Sequence, residues 1–142
     1  MIIAHGLVSS GLFSIGNITY ENTSTRSLYL TKGLLSVIPV ISIFWFLFRA
    51  MNIACPPSIN LLGEIMLFSS ILSVSLSMFL LIGISSFIAA CYSLYLYTCI
   101  HHGQYGIFIN CLVCLNTRNI TIIILHMIPV FFLISGSQFV CS

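Results

Sequence analysis

The chain has 142 residues, 59% of them hydrophobic and 4% charged, with a net charge of +2 and a mean hydropathy of +1.17. A soluble domain carries about 25% charged residues, so this composition cannot cover a water-facing surface. The charge is too small to signal nucleic-acid binding. Long apolar runs, rather than alternating strands, make the expected fold all-α: a polytopic transmembrane helix bundle of about four spans, with no sizeable soluble domain.

The first segment covers about residues 1–19 and opens apolar, with neither the basic start nor the cleavage site of a signal peptide. Gly6, Ser10 and Ser14 recur every four residues, a small-residue stripe of the kind that lets membrane helices approach closely. His5 and Ser9 share a face, and Tyr20 is placed as an interface anchor. A polar loop over 21–32 follows and holds Arg26 and Lys32, two of the four basic residues.

Residues 33–72 are too long for one straight helix across a hydrocarbon core of about 30 Å. The expected form is a single discontinuous span. Its first piece runs to about Asn52 with a kink at Pro39, and its second begins near Ser58. The interruption is Pro56-Pro57, where each ring removes an N–H and clashes with the carbonyl four residues back. A short uncharged turn at 73–77 leads to a third segment over 76–100, which ends in Tyr92, Tyr95 and Tyr97. The loop 101–119 and a last segment at 120–135, kinked at Pro129, complete the chain. Arg26 and Lys32 in the first loop and Arg118 in the third put both loops on the positive-inside face, with Arg49 as the exception.

Glu64 is one of two acidic residues and lies in an apolar span beside the break. Intramembrane carboxyls are costly and mark proton or ion paths. Broken helices supply free backbone groups where they line an enclosed cavity. Asn60, four residues earlier, shares the Glu64 face and is placed to hydrogen-bond it; the alternative is a structural acid paired with a cation. His5 carries the side-chain type suited to proton exchange, against a plain interhelical hydrogen bond. Arg49 has three readings: snorkelling to an interface, pairing with Glu64 or a partner's acid, or capping freed carbonyls. His126 reads as a bundle histidine more readily than as a relay. His101, His102, Cys111 and Cys114 contain one C-x-x-C, a weak metal or redox signal with no second ligand pair at zinc-site spacing.

Three blocks carry a family resemblance: Ala4-His5-Gly6-Leu7-Val8-Ser9-Ser10-Gly11-Leu12-Phe13, Tyr20-Glu21 with Arg26, and Pro56-Pro57-Ser58-Ile59-Asn60-Leu61-Leu62-Gly63-Glu64. Tyr92-Ser93-Leu94-Tyr95 and Leu125-His126-Met127-Ile128-Pro129 extend it through the last two segments. Over its whole length the chain resembles the antiporter-like chain 4 family of mitochondrial NADH–ubiquinone oxidoreductase, respiratory complex I. The resemblance implies a C-terminal portion of a longer subunit, covering the last four membrane helices, with the twelfth discontinuous. It implies that Glu64 matches the twelfth-helix acid and His5 the eleventh-helix histidine of a proton path whose lysines lie elsewhere. It further implies proton translocation coupled to electron transfer from NADH to ubiquinone. NADH, FMN, iron–sulfur clusters and ubiquinone are then handled by other subunits, with no cofactor or metal in this chain. The expected partners are other membrane-arm subunits and the lipid bilayer, with no nucleic acid. The expected location is the mitochondrial inner membrane, with the basic loops on the matrix side. A subunit of a multi-subunit cation/proton antiporter and a structural membrane subunit are the alternatives.

Overall fold

A computed structural model describes residues 2–28, 30–56, 58–104 and 116–136. The described residues form helices joined by turns, without strands. Helix α1 spans Ile2–Thr23, about 33 Å at 1.5 Å per residue. It runs a turn beyond the end expected near Thr19 and takes Glu21 out of the expected loop. The reason is local. Asn17 Nδ2 donates to Glu21 Oε1 at 3.0 Å one turn on, and no proline or glycine stands between Gly16 and Ser24. Ser24, at φ 53, ends the helix.

Gly33, at φ 79, starts the short helix α2, Leu34–Val37. Pro39 opens a new helix rather than kinking an existing one. Proline disfavours helical backbone in the residue before it, and Ile38 is non-helical at φ −136 and ψ 77. Proline itself suits the first helical position, so α3 runs Pro39–Asn52. Its buried residues Ile41, Ser42, Trp45, Phe48 and Met51 lie on one face. Ala54, at φ 58, terminates α3 in the left-handed conformation common at helix ends. Cys55 N–H closes the end on the Ala50 carbonyl at 3.0 Å.

The expected break is present: residues 53–58 are non-helical wherever described, Pro57 lying outside the described residues. Helix α4, Ile59–Val74, follows. Alone, α3 reaches about 21 Å and α4 about 24 Å, so neither crosses a core of about 30 Å by itself. The expected turn at 73–77 is the single extended residue Ser75, at φ −159. It folds helix α5, Leu76–His101, back on α4, with Phe68 and Phe79 edge to face at 6.1 Å. Helix α6, Thr117–Ser135, runs through Pro129. Helices α1, α5 and α6 are long and apolar enough to cross a membrane, and α3 and α4 are shorter apolar helices.

The core is shared by α1, α3 and α6: Val8, Ile15 and Ile18 meet Ile41, Trp45 and Phe48, and Ile123, Met127 and Val130. Gly11 permits this, because Phe48 lies directly over its Cα. The small-residue stripe predicted on α1 is not the packing face. Gly6 and Ser10 are exposed, and Ser10 and Ser14 hydroxyls return to their own helix at the Leu7 and Gly11 carbonyls. Most of α4 and α5 presents apolar side chains outward, among them Met66, Leu80, Leu81, Ile84 and Phe87. Arg118 lies 3.7 Å from Glu21, and Gly103 adjoins Lys32. The end of α1, the start of α6 and the turns at Lys32 and Gly103 therefore lie together at one end of the bundle.

Candidate functional site

Two cavities flank the end of α3. The smaller, about 330 Å³, is lined by Glu64 of α4, by Asn52 and Ile53 before the break, and by Ser86, Phe87, Ala89, Ala90 and Ser93 of α5. The small side chains of α5 leave the room that Glu64 faces. Glu64 is half-buried, with no ion pair among the described residues. An acid in an apolar span without a cationic neighbour retains the freedom to gain and lose a proton.

The larger cavity, about 660 Å³, runs along α1 from His5 past Ser9, Gly16 and Asn17 to Tyr20, facing Trp45, Arg49 and Asn52 of α3. His5 is exposed, and Ser9 Oγ donates to the Gly6 carbonyl at 3.0 Å rather than to His5. His5 and Glu64 therefore sit in separate cavities. The residue common to both linings is Asn52.

Asn60 does not serve Glu64. It is 3% exposed, and its Nδ2 donates across the break to the Met51 carbonyl at 3.2 Å. That carbonyl also accepts from the Ala54 N–H at 3.3 Å, so Asn60 adds a second bond that ties α4 to the end of α3. Asn60→Ala is expected to destabilise the protein by about 1 kcal/mol, the net worth of the hydrogen bond lost across the break. A lowered thermal midpoint of the purified assembly, with Glu64 untouched, is the check.

Arg49 neither pairs with Glu64 nor caps the break. Its guanidinium lies 5.2 Å over the Trp45 ring, on the His5 side, and its Nε is buried without a partner among the described residues. That orientation follows from helical side chains leaning toward the N-terminus. His126 donates Nδ1–H to the Ile122 carbonyl of its own helix at 2.8 Å.

His101 is not a loop residue. It closes α5, is 1% exposed, and pairs Nδ1 with Ser42 Oγ at 2.8 Å beneath the Tyr97 ring at 4.4 Å. Cys111 and Cys114, the other half of the metal alternative, lie outside the described residues. Sequence reasoning missed Asn52 and the burial of His101. For Asn52 the signal was present, a lone amide four residues before Pro56 in an apolar run.

The profile of the NADH:quinone oxidoreductase/Mrp antiporter transmembrane family matches residues 1–89, which include His5, Arg49, Asn52 and Glu64. The chain belongs to that family. It is 47% identical over 142 residues to NADH-ubiquinone oxidoreductase chain 4 of Lumbricus terrestris, covering 100% of this chain and 31% of the relative. To the protein of that name from Anopheles arabiensis it is 43% identical over 139 residues, 98% of this chain and 63% of the relative. The Locusta migratoria protein is 48% identical over 105 residues, 74% of this chain and 24% of the relative. The chain thus spans about a third of the Lumbricus relative and under two-thirds of the Anopheles one.

Proposed function

We propose that this chain is part of a core membrane subunit of respiratory complex I, a C-terminal portion of a longer antiporter-like protein, contributing to proton translocation coupled to electron transfer from NADH to ubiquinone. In this reading Glu64 and His5 take up and release protons at the two cavities. The redox groups, NADH, FMN, iron–sulfur clusters and ubiquinone, belong to other subunits. The partners are the other membrane-arm subunits and the lipid bilayer of the mitochondrial inner membrane, with the Arg26, Lys32 and Arg118 end on the matrix side.

The observation that carries the reading is the placement of Glu64. It faces a cavity of about 330 Å³ beside a proline-broken span, with no cation paired to it among the described residues. A structural acid of the kind weighed from the sequence requires such a partner. The family shared with cation/proton antiporters leaves a second reading, in which a metal cation is moved instead.

Proteoliposomes containing the purified complex separate the two. NADH with a ubiquinone analogue in sodium- and potassium-free buffer is expected to build a pH gradient that collapses with a protonophore. A gradient that forms only when sodium or potassium is added, and without NADH, assigns the chain to the antiporter reading.

A further inference from the structure

The two cavities pose a problem of connection. His5 lines one and Glu64 the other, and no hydrogen bond between described residues joins them. The single lining residue they share is Asn52, the last residue of α3. Its Oδ1 is buried with no hydrogen-bond partner among the described residues.

Asn52 does not stand alone. Ser58 Oγ and Asn60 Oδ1 are also buried without partners, in residues 6% and 3% exposed. All three flank the break: Asn52 is the last residue of α3, Ser58 directly precedes α4, and Asn60 is the second residue of α4. Asn60 Nδ2 is already spent on the Met51 carbonyl, and that bond holds the two broken ends together. Buried polar atoms are satisfied in native proteins, by ordered water where no protein group reaches them. Water also needs a site that is polar and roomy, and Asn52 offers a buried oxygen beside a cavity on either hand.

We infer that Asn52 is a positioning residue for proton transfer: its Oδ1 accepts a hydrogen bond from a water that links the His5 cavity to the Glu64 cavity. This rests on the proposed reading of His5 and Glu64 as proton-exchanging groups. The transfer balances simply. The water takes one proton from the His5 side and releases another toward the Glu64 carboxylate, while Asn52 gains and loses none. An amide suits this task because it orients the water without trapping the proton. Arg49, one turn earlier on the same face, points back over Trp45 and leaves the Asn52 carboxamide as the group at the junction.

The test uses the assembled complex in proteoliposomes, reading protons translocated per NADH oxidised and the yield of intact complex. Asn52→Leu has nearly the same size but no acceptor and repels water. It is expected to lower the proton yield about tenfold, since it removes a correctly placed hydrogen-bonding step. Asn52→Ala opens space that a second water fills, and is expected to stay within about threefold of the natural protein. Equal losses in the two variants overturn the inference, because a side chain that merely packs is missed in both. Normal pumping in Asn52→Leu overturns it as well. If Glu64→Gln is blocked in that same series, this inference alone fails; if Glu64→Gln also pumps normally, the underlying reading of the site fails. Infrared difference spectra supply a measurement that does not depend on the leucine variant assembling. Water O–H bands that change with turnover are expected to shift in Asn52→Ala, and bands identical to those of the natural protein overturn the proposal.

Discussion

Glu64→Gln is expected to lower NADH-driven proton translocation about 100-fold or more, the scale on which a positioned proton-transfer group contributes. Glutamine matches the carboxyl in shape and fits the same space between Asn52 and the small residues Ser86, Ala89, Ala90 and Ser93. It keeps hydrogen-bonding capacity and loses only the exchangeable proton. Glu64 is half-buried and makes no ion pair among the described residues, so neutralising it strands no buried cation. The assembled complex is therefore expected at its normal yield. Protons translocated per NADH oxidised, measured alongside the amount of intact complex, decide the matter. Normal pumping in a fully assembled Glu64→Gln complex removes the role assigned to this residue. Glu64→Asp, which keeps the proton but withdraws it by one methylene, is expected to fall between the two.

The second large effect lies in packing. Gly11→Val is expected to destabilise the protein by about 3 kcal/mol, the upper range for overfilling a close-packed contact. A Cβ at Gly11 would meet the Phe48 ring, with Cζ at 2.8 Å, well inside van der Waals contact. Phe48 is 0% exposed and has nowhere to swing. The two helices must then separate, and α3 carries with it Trp45, Arg49 and Asn52, which form one wall of the His5 cavity. Gly6→Ala is the control. Nothing lies within 4 Å of a Cβ at Gly6, and alanine is the better helix former by about 1 kcal/mol. It should be neutral or mildly stabilising. Thermal unfolding of the solubilised complex compares the two, and pairing Gly11→Ala with Phe48→Leu should recover much of the loss if the ring is the obstacle. Equal behaviour of the Gly6 and Gly11 variants would show that α1 and α3 do not pack through this contact.

Much of the architecture was legible in the residues because it follows from short-range rules. The apolar runs and the near absence of charge dictate membrane helices. Pro56-Pro57 cannot lie inside one, and the chain is broken there. Glu64 stood out as a candidate because a carboxyl in such a run is costly wherever the helix turns. The misplacements were local too. Asn17 reaching Glu21 carried α1 a turn further, and Pro39 began a helix because its effect falls mainly on the residue before it.

What the sequence alone determined was the class of fold, the place of the break, and the identity of the acid beside it, since each depends on neighbours within a turn or two. The tertiary structure decided which faces meet. It turned Gly6 and Ser10 outward and seated Gly11 under Phe48. It sent Asn60 to the Met51 carbonyl instead of to Glu64. It drew His101 from a supposed loop into a buried contact with Ser42, 59 residues away. It also parted His5 from Glu64 and left Asn52 between them. Those outcomes depend on how helices distant in sequence close around one another, and helical periodicity marks the sides of each rod without saying which neighbour will cover them.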